Sequence, residues 1–483
     1  MIELKRYNQF ALFLIFVIII ISLITHYYGS TDVVEYTGVA KFFAGEYGAK
    51  IRASHSLLYG FIHAPLVGLF NSFLIMKITN ILFLILIIIS TYYISKKDSR
   101  ALLLIAASPI IWYIGPWINP IQISSLLFLW GFFFITRFEA SKKVLNLIYS
   151  GILMGLSIIF WNTALFVLFF FIILFFYNKN VSILIIFLFS MLIGFMPLFI
   201  LDTVLYGFPL YTLTKFLFGI ISSSFFGNIY GTGKITLRSL TGYISFLIML
   251  PFFGYTLFLK KFFKENKKTV IFITLPFIFF LVNPQIRYIL FLWPILILFL
   301  SKSLNEEQFK KQLIIFLIIS LIIINPYLIQ IKYSTNAQEL NSAINNLGKL
   351  EISEINEEEI ILSDLEKIIK EYPNETFIVG NHADNYAELA QIYWGKNVKE
   401  FVSIQDYNIY LNNDPTIFEK KIKFVPEIQD RRQIWLAGGM DKNENDKTNY
   451  QNITLAIGIG EPINIENFEL IKEYSSLYLS KKR

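Results

Sequence analysis

Long uninterrupted apolar runs are the feature that most restricts how this chain can fold. Phe10–Ile24, Leu165–Tyr177 and a longer stretch that includes Ile81–Ser90 are long or dense enough to form transmembrane helices. The chain of 483 residues is 55% hydrophobic and 17% aromatic, with a mean hydropathy of +0.57. Because soluble globular proteins are less apolar, the sequence predicts a polytopic α-helical membrane protein.

The apolar segments predict about eleven transmembrane helices with the N-terminus in the cytoplasm. In this orientation, 17 of the 25 Lys and Arg residues within residues 1–330 lie in cytoplasmic loops, as the positive-inside rule expects. Ser56–Asn71 is apolar but short, and we interpret it as a re-entrant or interfacial helix in the first outer loop. The predicted spans are 9–27, 73–94, 101–115, 121–137, 145–161, 163–177, 181–204, 240–259, 269–283, 288–301 and 312–330.

Charge divides the chain into two predicted domains. Residues 1–330 carry 25 basic and 10 acidic side chains, whereas residues 331–483 carry 17 basic and 25 acidic ones. We interpret residues 1–330 as a multi-span membrane domain and residues 331–483 as a C-terminal extracytoplasmic α/β domain. Membrane orientation explains the basic residues, so the charge does not indicate nucleic-acid binding. The absence of cysteine from the sequence excludes disulfides, thiol catalysis and Cys-ligated zinc.

The hydrophobic pattern of the tail alternates between helix and strand signals. It predicts helices over 357–372 and 384–393, and strands over 376–379, 401–404, 434–436 and 453–457.

Titratable side chains are concentrated between His26 and His63. This stretch contains three of the four histidines and three of the ten carboxylates of residues 1–330. Asp32 and Glu35 stand at the start of a predicted helix over 33–44, in the pattern of a capping box. Alternatively, Asp32 is a base at the outer membrane face. Both interpretations can hold, because a cap fixes a carboxylate without using both oxygens.

His55 and His63 flank the short apolar segment of the first outer loop. Each is either a polar anchor at the membrane interface or a group that donates to a phosphate or binds a metal. A divalent metal held by Asp32, Glu35 and a histidine is one option, although no spacing in the sequence requires it.

Several basic residues are predicted on the outer side of the membrane. Arg287-Tyr288 lies at the junction of two predicted spans, where Arg287 either snorkels to lipid headgroups or binds a lipid-linked phosphate through its planar fork. Gly227–Lys234 resembles a P-loop only superficially, and we expect a loop that closes over substrate. The other outer cations include Lys41, Lys50, Arg52, Lys77, Lys215 and Arg238.

The order of these features resembles the GT-C superfamily of membrane glycosyltransferases, in particular the protein O-mannosyltransferase and aminoarabinose transferase group. The resemblance covers about residues 10–330. Two pieces differ: Pro116–Gln122 has no acid where related enzymes often carry a second one, and His63-Ala-Pro65 replaces His-Pro-Pro. The matching pieces are Asp32…Tyr36…Ala40, His63-Ala64-Pro65-Leu66, Ser108-Pro109, Tyr206-Gly-Phe-Pro209 and Arg287-Tyr288.

The resemblance implies an inverting glycosyltransferase of the cell membrane that transfers a sugar from a polyprenyl-phosphate donor to an acceptor outside the cytoplasm. The acceptor is a protein, a lipid or a glycan, and Asp32 is the expected catalytic base. We expect substrate binding by Glu35, Arg52, His55, His63, Lys234, Arg238, Arg287 and Tyr288.

Two other functions stay open at this point. A transporter or flippase of lipid-linked sugars would usually show repeats and polar groups at the membrane midplane, and the sequence shows neither clearly. A catalytically inactive membrane anchor is suggested by the missing second acid.

Overall fold

A computed structural model describes most of the membrane part and part of the tail. The described residues are 2–24, 32–45, 51–52, 57–70, 72–162, 164–176, 180–206, 209–214, 286–329, 364–365, 367–373, 375–379, 401–403, 439–440, 453–475 and 477–483.

The described part of residues 1–330 is almost entirely helical, which confirms the predicted helical class. Four helices, α1, α4, α7 and α10, are long and apolar enough to cross a membrane, while the number of eleven spans stays a prediction. The elements are α1 (Ile2–Ile24), α2 (Asp32–Phe43), β1 (Ile51–Arg52), α3 (Leu57–Val67), α4 (Ser72–Ile94), α5 (Ser99–Ala106), α6 (Pro109–Ile114), α7 (Ile121–Ser141), α8 (Val144–Phe160), α9 (Ala164–Phe176), α10 (Val181–Tyr206), a 3-10 helix (Ile286–Phe291), α11 (Trp293–Ser303) and α12 (Glu306–Ile329).

Two predicted segments of the membrane part form shorter helices than a membrane span. The predicted span over 101–115 is two helices, α5 and α6, because Pro109 lacks an N–H and begins a new helix after Ser108. The short outer-loop segment forms α3, which has 11 residues. At 1.5 Å per residue this is about half of the roughly 30 Å hydrocarbon core. The predicted spans over 240–259 and 269–283 lie outside the described residues.

Small residues allow α8 and α10 to cross closely. A Cβ atom on Gly151 would lie 2.6 Å from the Phe187 carbonyl oxygen, and one on Gly155 would overlap the Met191 carbonyl oxygen. Gly151 and Gly155 form a GxxxG pair that faces Gly194 of α10, the pattern of closely packed membrane helices.

The beginnings of α5 and α12 meet α1 at one end of the helical bundle. Glu306 forms an ion pair with Arg100 and accepts a hydrogen bond of 2.6 Å from the Tyr7 hydroxyl. Lys310 lies 3.4 Å from the same carboxylate, and the Arg100 guanidinium lies over the Phe309 ring. Arg100 and Lys310, which come from two loops that the charge pattern predicts to be cytoplasmic, therefore lie together at this end.

The described strands of the tail are β2 (Phe377–Val379), β3 (Phe401–Ser403), β4 (Gly439–Met440), β5 (Leu455–Ile459), β6 (Phe468–Glu473) and β7 (Leu477–Lys482). Five of them form a mixed sheet with the strand order β3-β2-β5-β7-β6. β2 is parallel to β3 and β5, whereas β7 is antiparallel to β5 and β6. A separate short antiparallel pair joins β1, in the first outer loop, to β4.

Both faces of this sheet are covered. Phe377 and Val379 pack with Leu365 and Ile369 from the preceding helical residues, whereas Ile378 faces the opposite side. The strands predicted near 376–379, 401–404 and 453–457 are confirmed within one or two residues, and the hairpin β6–β7 was not predicted. The predicted helix over 384–393 and the strand over 434–436 lie outside the described residues, and the domain boundary at 330 stays a prediction.

Candidate functional site

Helix α2 positions the predicted base, because it begins at Asp32. Its buried face includes Tyr36 and Val39, which are both fully enclosed. Gly60 of α3 lets the two helices approach closely, since a Cβ at that position would collide with Val39 and lie 2.9 Å from the Ala40 nitrogen. The contact fixes α2 against α3 and thereby fixes the direction in which α2 starts.

Aromatic rings connect α2 to an arginine on the 3-10 helix. Tyr36 contacts Tyr59 edge-on at 5.6 Å and Trp161 at 6.4 Å between ring centroids. The Arg287 guanidinium lies 5.6 Å from the centroid of Trp161 and 5.7 Å from that of Trp117. Only 9% of Arg287 is exposed. The guanidinium therefore lies against two indole rings in a desolvated setting, where cation–π attraction is strongest. We call Tyr36, Tyr59, Trp117 and Trp161 the aromatic cluster.

Hydrogen bonds extend this cluster from α3 to α4 and to the turn before α7. Asn80 of α4 donates to the Tyr59 hydroxyl and, at 2.7 Å, to the Met76 carbonyl. Its Oδ1 accepts a 3.4 Å bond from the backbone N–H of Asn119. Asn80 therefore ties the first outer loop to the turn at 116–120.

His63 connects α3 to α4. Its Nδ1 lies 2.7 Å from the Tyr59 carbonyl oxygen, and its Nε2 lies 2.6 Å from the Thr79 hydroxyl. Because the carbonyl can only accept, Nδ1 carries the proton. In neutral imidazole, Nε2 accepts the single hydroxyl proton of Thr79, in place of the Met76 carbonyl oxygen 2.9 Å from that hydroxyl. Burial lowers the pKa of His63 to about 4, which agrees with a neutral ring. Both ring nitrogens are thus engaged between the two helices. Substrate binding by His63 stays a prediction.

Lys77 is a cation to which the sequence analysis gave no role in the site. It lies on α4, three residues before Asn80, and is 1% exposed. Lysine within an apolar helix is rare and marks functional positions in membrane proteins. That signal was available from the sequence.

The sequence resemblance implies a second acid, which this chain lacks, in the turn before α7. Asn119 and Gln122, which occupy it, are both fully buried. Asn119 Oδ1 accepts a 2.9 Å bond from the N–H of Ile121, the first residue of α7, whose N-cap is Pro120.

The structure describes only some of the predicted site residues. The side chains of His63 and Arg287 are described, and they join the same set of contacts through Tyr59, Tyr36 and Trp161. For Asp32, Glu35, Arg52 and Tyr288 only the backbone is described, on α2, β1 and the 3-10 helix. His55, Lys234, Arg238 and the predicted loop 227–234 lie outside the described residues.

Within the described part, the side chains form no group of three or more His, Asp or Glu that could hold a metal ion. The metal site suggested by the sequence would use the side chains of Asp32 and Glu35, which are outside that part. Metal binding therefore stays untested.

These features define a class: an α-helical membrane protein whose fold is similar to that of ArnT. Two crystal structures of ArnT from Cupriavidus metallidurans are similar to it. The apo structure has a TM-score of 0.55 at 12% identity and covers 99% of this chain and 98% of ArnT. The structure bound to undecaprenyl phosphate has a TM-score of 0.50 at 13% identity, with 99% and 97% coverage. At this identity the similarity shows the fold.

No protein-family model matches the sequence, and no curated protein matches it.

Proposed function

We propose that this protein is an inverting glycosyltransferase that transfers a sugar from a polyprenyl-phosphate donor to an acceptor on the outer side of the membrane. The observation that carries the proposal is the contact between buried Arg287, the aromatic cluster and α2, the helix that begins at Asp32. The fold supports it, because ArnT has been crystallised with undecaprenyl phosphate.

Arg287 would bind the phosphate of the donor. The two indole rings restrict the orientation of its guanidinium plane, and a planar fork suits two phosphate oxygens. As the bond between the anomeric carbon and the phosphate oxygen breaks, the electron pair stays on that oxygen. A preorganised cation at this point stabilises the developing charge. Lys77 is the second cation that we assign to the phosphate, on the basis of its burial three residues before Asn80.

Asp32 would act as the general base. It precedes Tyr36 by one helical turn on α2, and residues at this spacing share a helix face. Its carboxylate would take the proton of an acceptor hydroxyl or amide as that group attacks the anomeric carbon from the side opposite the phosphate, which inverts the configuration. General-base assistance is typically worth about 10²–10⁴ in rate.

The remaining assignments are part of the same proposal. Glu35, Arg52, His55, Lys234, Arg238 and Tyr288 would bind the substrate, and His63 would support the site from between α3 and α4. The N-terminus is cytoplasmic and residues 331–483 are outside, which agrees with the collection of Arg100 and Lys310 at one end of the bundle.

The test is transfer by the purified full-length protein in lipid nanodiscs, with radiolabelled undecaprenyl-phosphoryl sugars as donors. We expect Asp32→Asn to bind undecaprenyl phosphate normally and to lose about 10²–10⁴ in transfer rate. Arg287→Ala should lose lipid binding as well.

Arg100→Ala is the matched control, since it removes an arginine from the other end of the bundle. Unchanged transfer in Asp32→Asn would contradict the base. Movement of intact lipid-linked sugar across liposomes, without bond cleavage, would instead indicate a transporter.

A further inference from the structure

Three buried polar side chains near the beginning of α7 have atoms without a hydrogen-bond partner. These atoms are Asn119 Nδ2, Gln122 Oε1 and Ser125 Oγ, and all three residues are fully enclosed. Within the described part of the chain nothing bonds to them. Because a buried polar atom without a partner costs free energy, such atoms indicate a ligand or water that completes the site. We call these residues the neutral polar stripe.

The orientation of both amides is fixed by their other partners. Asn119 Oδ1 accepts from the Ile121 N–H, so Nδ2 is the unpaired atom and can only donate. Gln122 Nε2 lies 3.3 Å from the carbonyl oxygens of Ile114 and Trp117, so Oε1 is the unpaired atom and can only accept. The stripe therefore offers one donor, one acceptor and a hydroxyl that can act as either.

The neutral polar stripe is linked to the surroundings of Arg287 through Phe128 and through Trp117. Gln122 and Ser125 lie three residues apart on α7, and Phe128 follows three residues after Ser125. The Phe128 ring lies 6.1 Å from Phe291, at the end of the 3-10 helix that carries Arg287. Gln122 also bonds to the backbone of Trp117, whose ring contacts the Arg287 guanidinium.

We propose that Asn119, Gln122 and Ser125 bind hydroxyl groups of the sugar carried by the donor, next to the phosphate. This inference rests on the proposed function and adds the recognition of the sugar. A hydroxyl group donates one hydrogen bond and accepts others, so hydroxyls satisfy Asn119 Nδ2 and Gln122 Oε1 together. An ammonium group has no acceptor and would leave Asn119 unpaired. The stripe therefore selects a hydroxyl-bearing hexose over a sugar that presents an ammonium at this position.

The test compares binding of three kinds of lipid to the full-length protein in nanodiscs. They are undecaprenyl phosphate, undecaprenyl-phosphoryl mannose, glucose and galactose, and undecaprenyl-phosphoryl 4-amino-4-deoxyarabinose. The wild type should bind at least one hexosyl lipid more tightly than the bare phosphate and the amino-sugar lipid. Ser125→Ala, which removes an unpaired hydroxyl, should reduce this preference about fivefold, and Gln122→Met about tenfold or more. Ser125→Ala should leave the affinity for undecaprenyl phosphate unchanged.

Gln312→Met is the matched control. Gln312 is also a fully buried glutamine with unpaired amide atoms, but it lies on α12, three residues after Phe309, which packs on Tyr7. The Gln312→Met variant should keep the preference of the wild type for the hexosyl lipid. The unfolding temperature of Ser125→Ala should equal or exceed that of the wild type, because no described hydrogen bond is lost.

The outcomes separate this inference from the proposed function. Equal binding of hexosyl lipid and bare lipid by the wild type, or an unchanged preference in both variants, overturns the inference and means that the stripe is filled by internal water. Failure of the wild type to bind undecaprenyl phosphate overturns the proposed function instead.

Discussion

The guanidinium group of Arg287 lies 5.6 Å from the ring centroid of Trp161, and Trp161 in turn contacts Tyr36. Three parts of the sequence that are far apart meet in these contacts: the helix after the first span, the end of α8 and the 3-10 helix. A substitution in any one of these parts should therefore change the position of the residues where α2 begins. The contacts also suggest why an arginine, rather than a lysine, occupies position 287.

Arg287→Lys should weaken the binding of undecaprenyl phosphate although the charge is retained. A lysine ammonium group is not planar, so it cannot stack on Trp117 and Trp161 as a guanidinium does. It also offers no bidentate fork to a phosphate. A hydrogen bond to a charged group contributes about 1.5–3 kcal/mol, so the loss of one arm of the fork should weaken binding of the lipid roughly tenfold or more. Isothermal titration in nanodiscs measures it.

Arg137→Lys is the control for this substitution. Arg137 also lies over an aromatic ring, that of Phe133 at 5.2 Å, but it is exposed at the end of α7. The Arg137→Lys variant should bind undecaprenyl phosphate with the affinity of the wild type. An equal loss in both variants would show that the effect is general to the membrane surface and not specific to position 287.

His63 should make the protein less stable in mild acid. Burial lowers its pKa in the folded protein to about 4, below the usual 6.5. The unfolded chain therefore binds a proton between pH 6.5 and 4 that the folded protein does not bind, and stability falls as the pH decreases through this range. At pH 4.5 this difference in proton binding lowers the free energy of unfolding by about 2–3 kcal/mol relative to neutral pH.

The measurement is the unfolding temperature in detergent at pH 7.5 and at pH 4.5. His63→Gln can keep a hydrogen bond between α3 and α4 but cannot titrate, so its unfolding temperature should fall less between the two pH values. Parallel curves for the variant and the wild type would contradict the assignment of neutral His63.

The sequence predicts the membrane class and most helices well, because apolar runs and charge bias are properties of single segments. It predicts the helix over 33–44 from the capping pattern, within one residue of the observed α2 at each end. The break in the span over 101–115 was missed, although Pro109 marks it. The hairpin β6–β7 was missed because β6 is mostly exposed and lacks the apolar alternation of a half-buried strand.

The candidate site was harder to predict, since its contacts join distant positions. Arg287 stood out by its type, but its position between Trp117 and Trp161 depends on the packing of three helical segments. Similarly, the sequence left open whether His63 is a polar anchor at the interface or a ligand. Only its hydrogen bonds to Thr79 and to the Tyr59 backbone show how the ring is held.

Gly155→Ala should destabilise the protein more than an ordinary glycine substitution. The added Cβ would overlap the Met191 carbonyl oxygen on α10, and backbone cannot move aside as a flexible side chain can. Overpacking of this kind typically costs about 1–3 kcal/mol. Gly68→Ala is the control, because its nearest atoms are 3.5 Å and 3.6 Å away. Equal unfolding temperatures for the two variants would contradict close packing of α8 on α10.

Thr212→Val should destabilise the region where α10 ends. Asp202 is fully buried, and its carboxylate accepts a 2.5 Å bond from the Thr212 hydroxyl and a 3.0 Å bond from the Thr212 N–H. Valine keeps the shape and the backbone bond but removes the hydroxyl, which leaves one carboxylate oxygen without that donor. Hydrogen bonds to charged groups contribute about 1.5–3 kcal/mol.

Thr212→Ser separates the hydrogen bond from packing at the same position, since serine keeps the hydroxyl and loses only a methyl group. We expect its unfolding temperature to stay near that of the wild type, while Thr212→Val unfolds several degrees lower. Tyr211 gives a second measurement, because burial and the charge of Asp202 raise its pKa to about 12. Asp202→Asn should lower that pKa in a spectroscopic titration, and an unchanged value would mean that Asp202 does not carry the charge assigned to it.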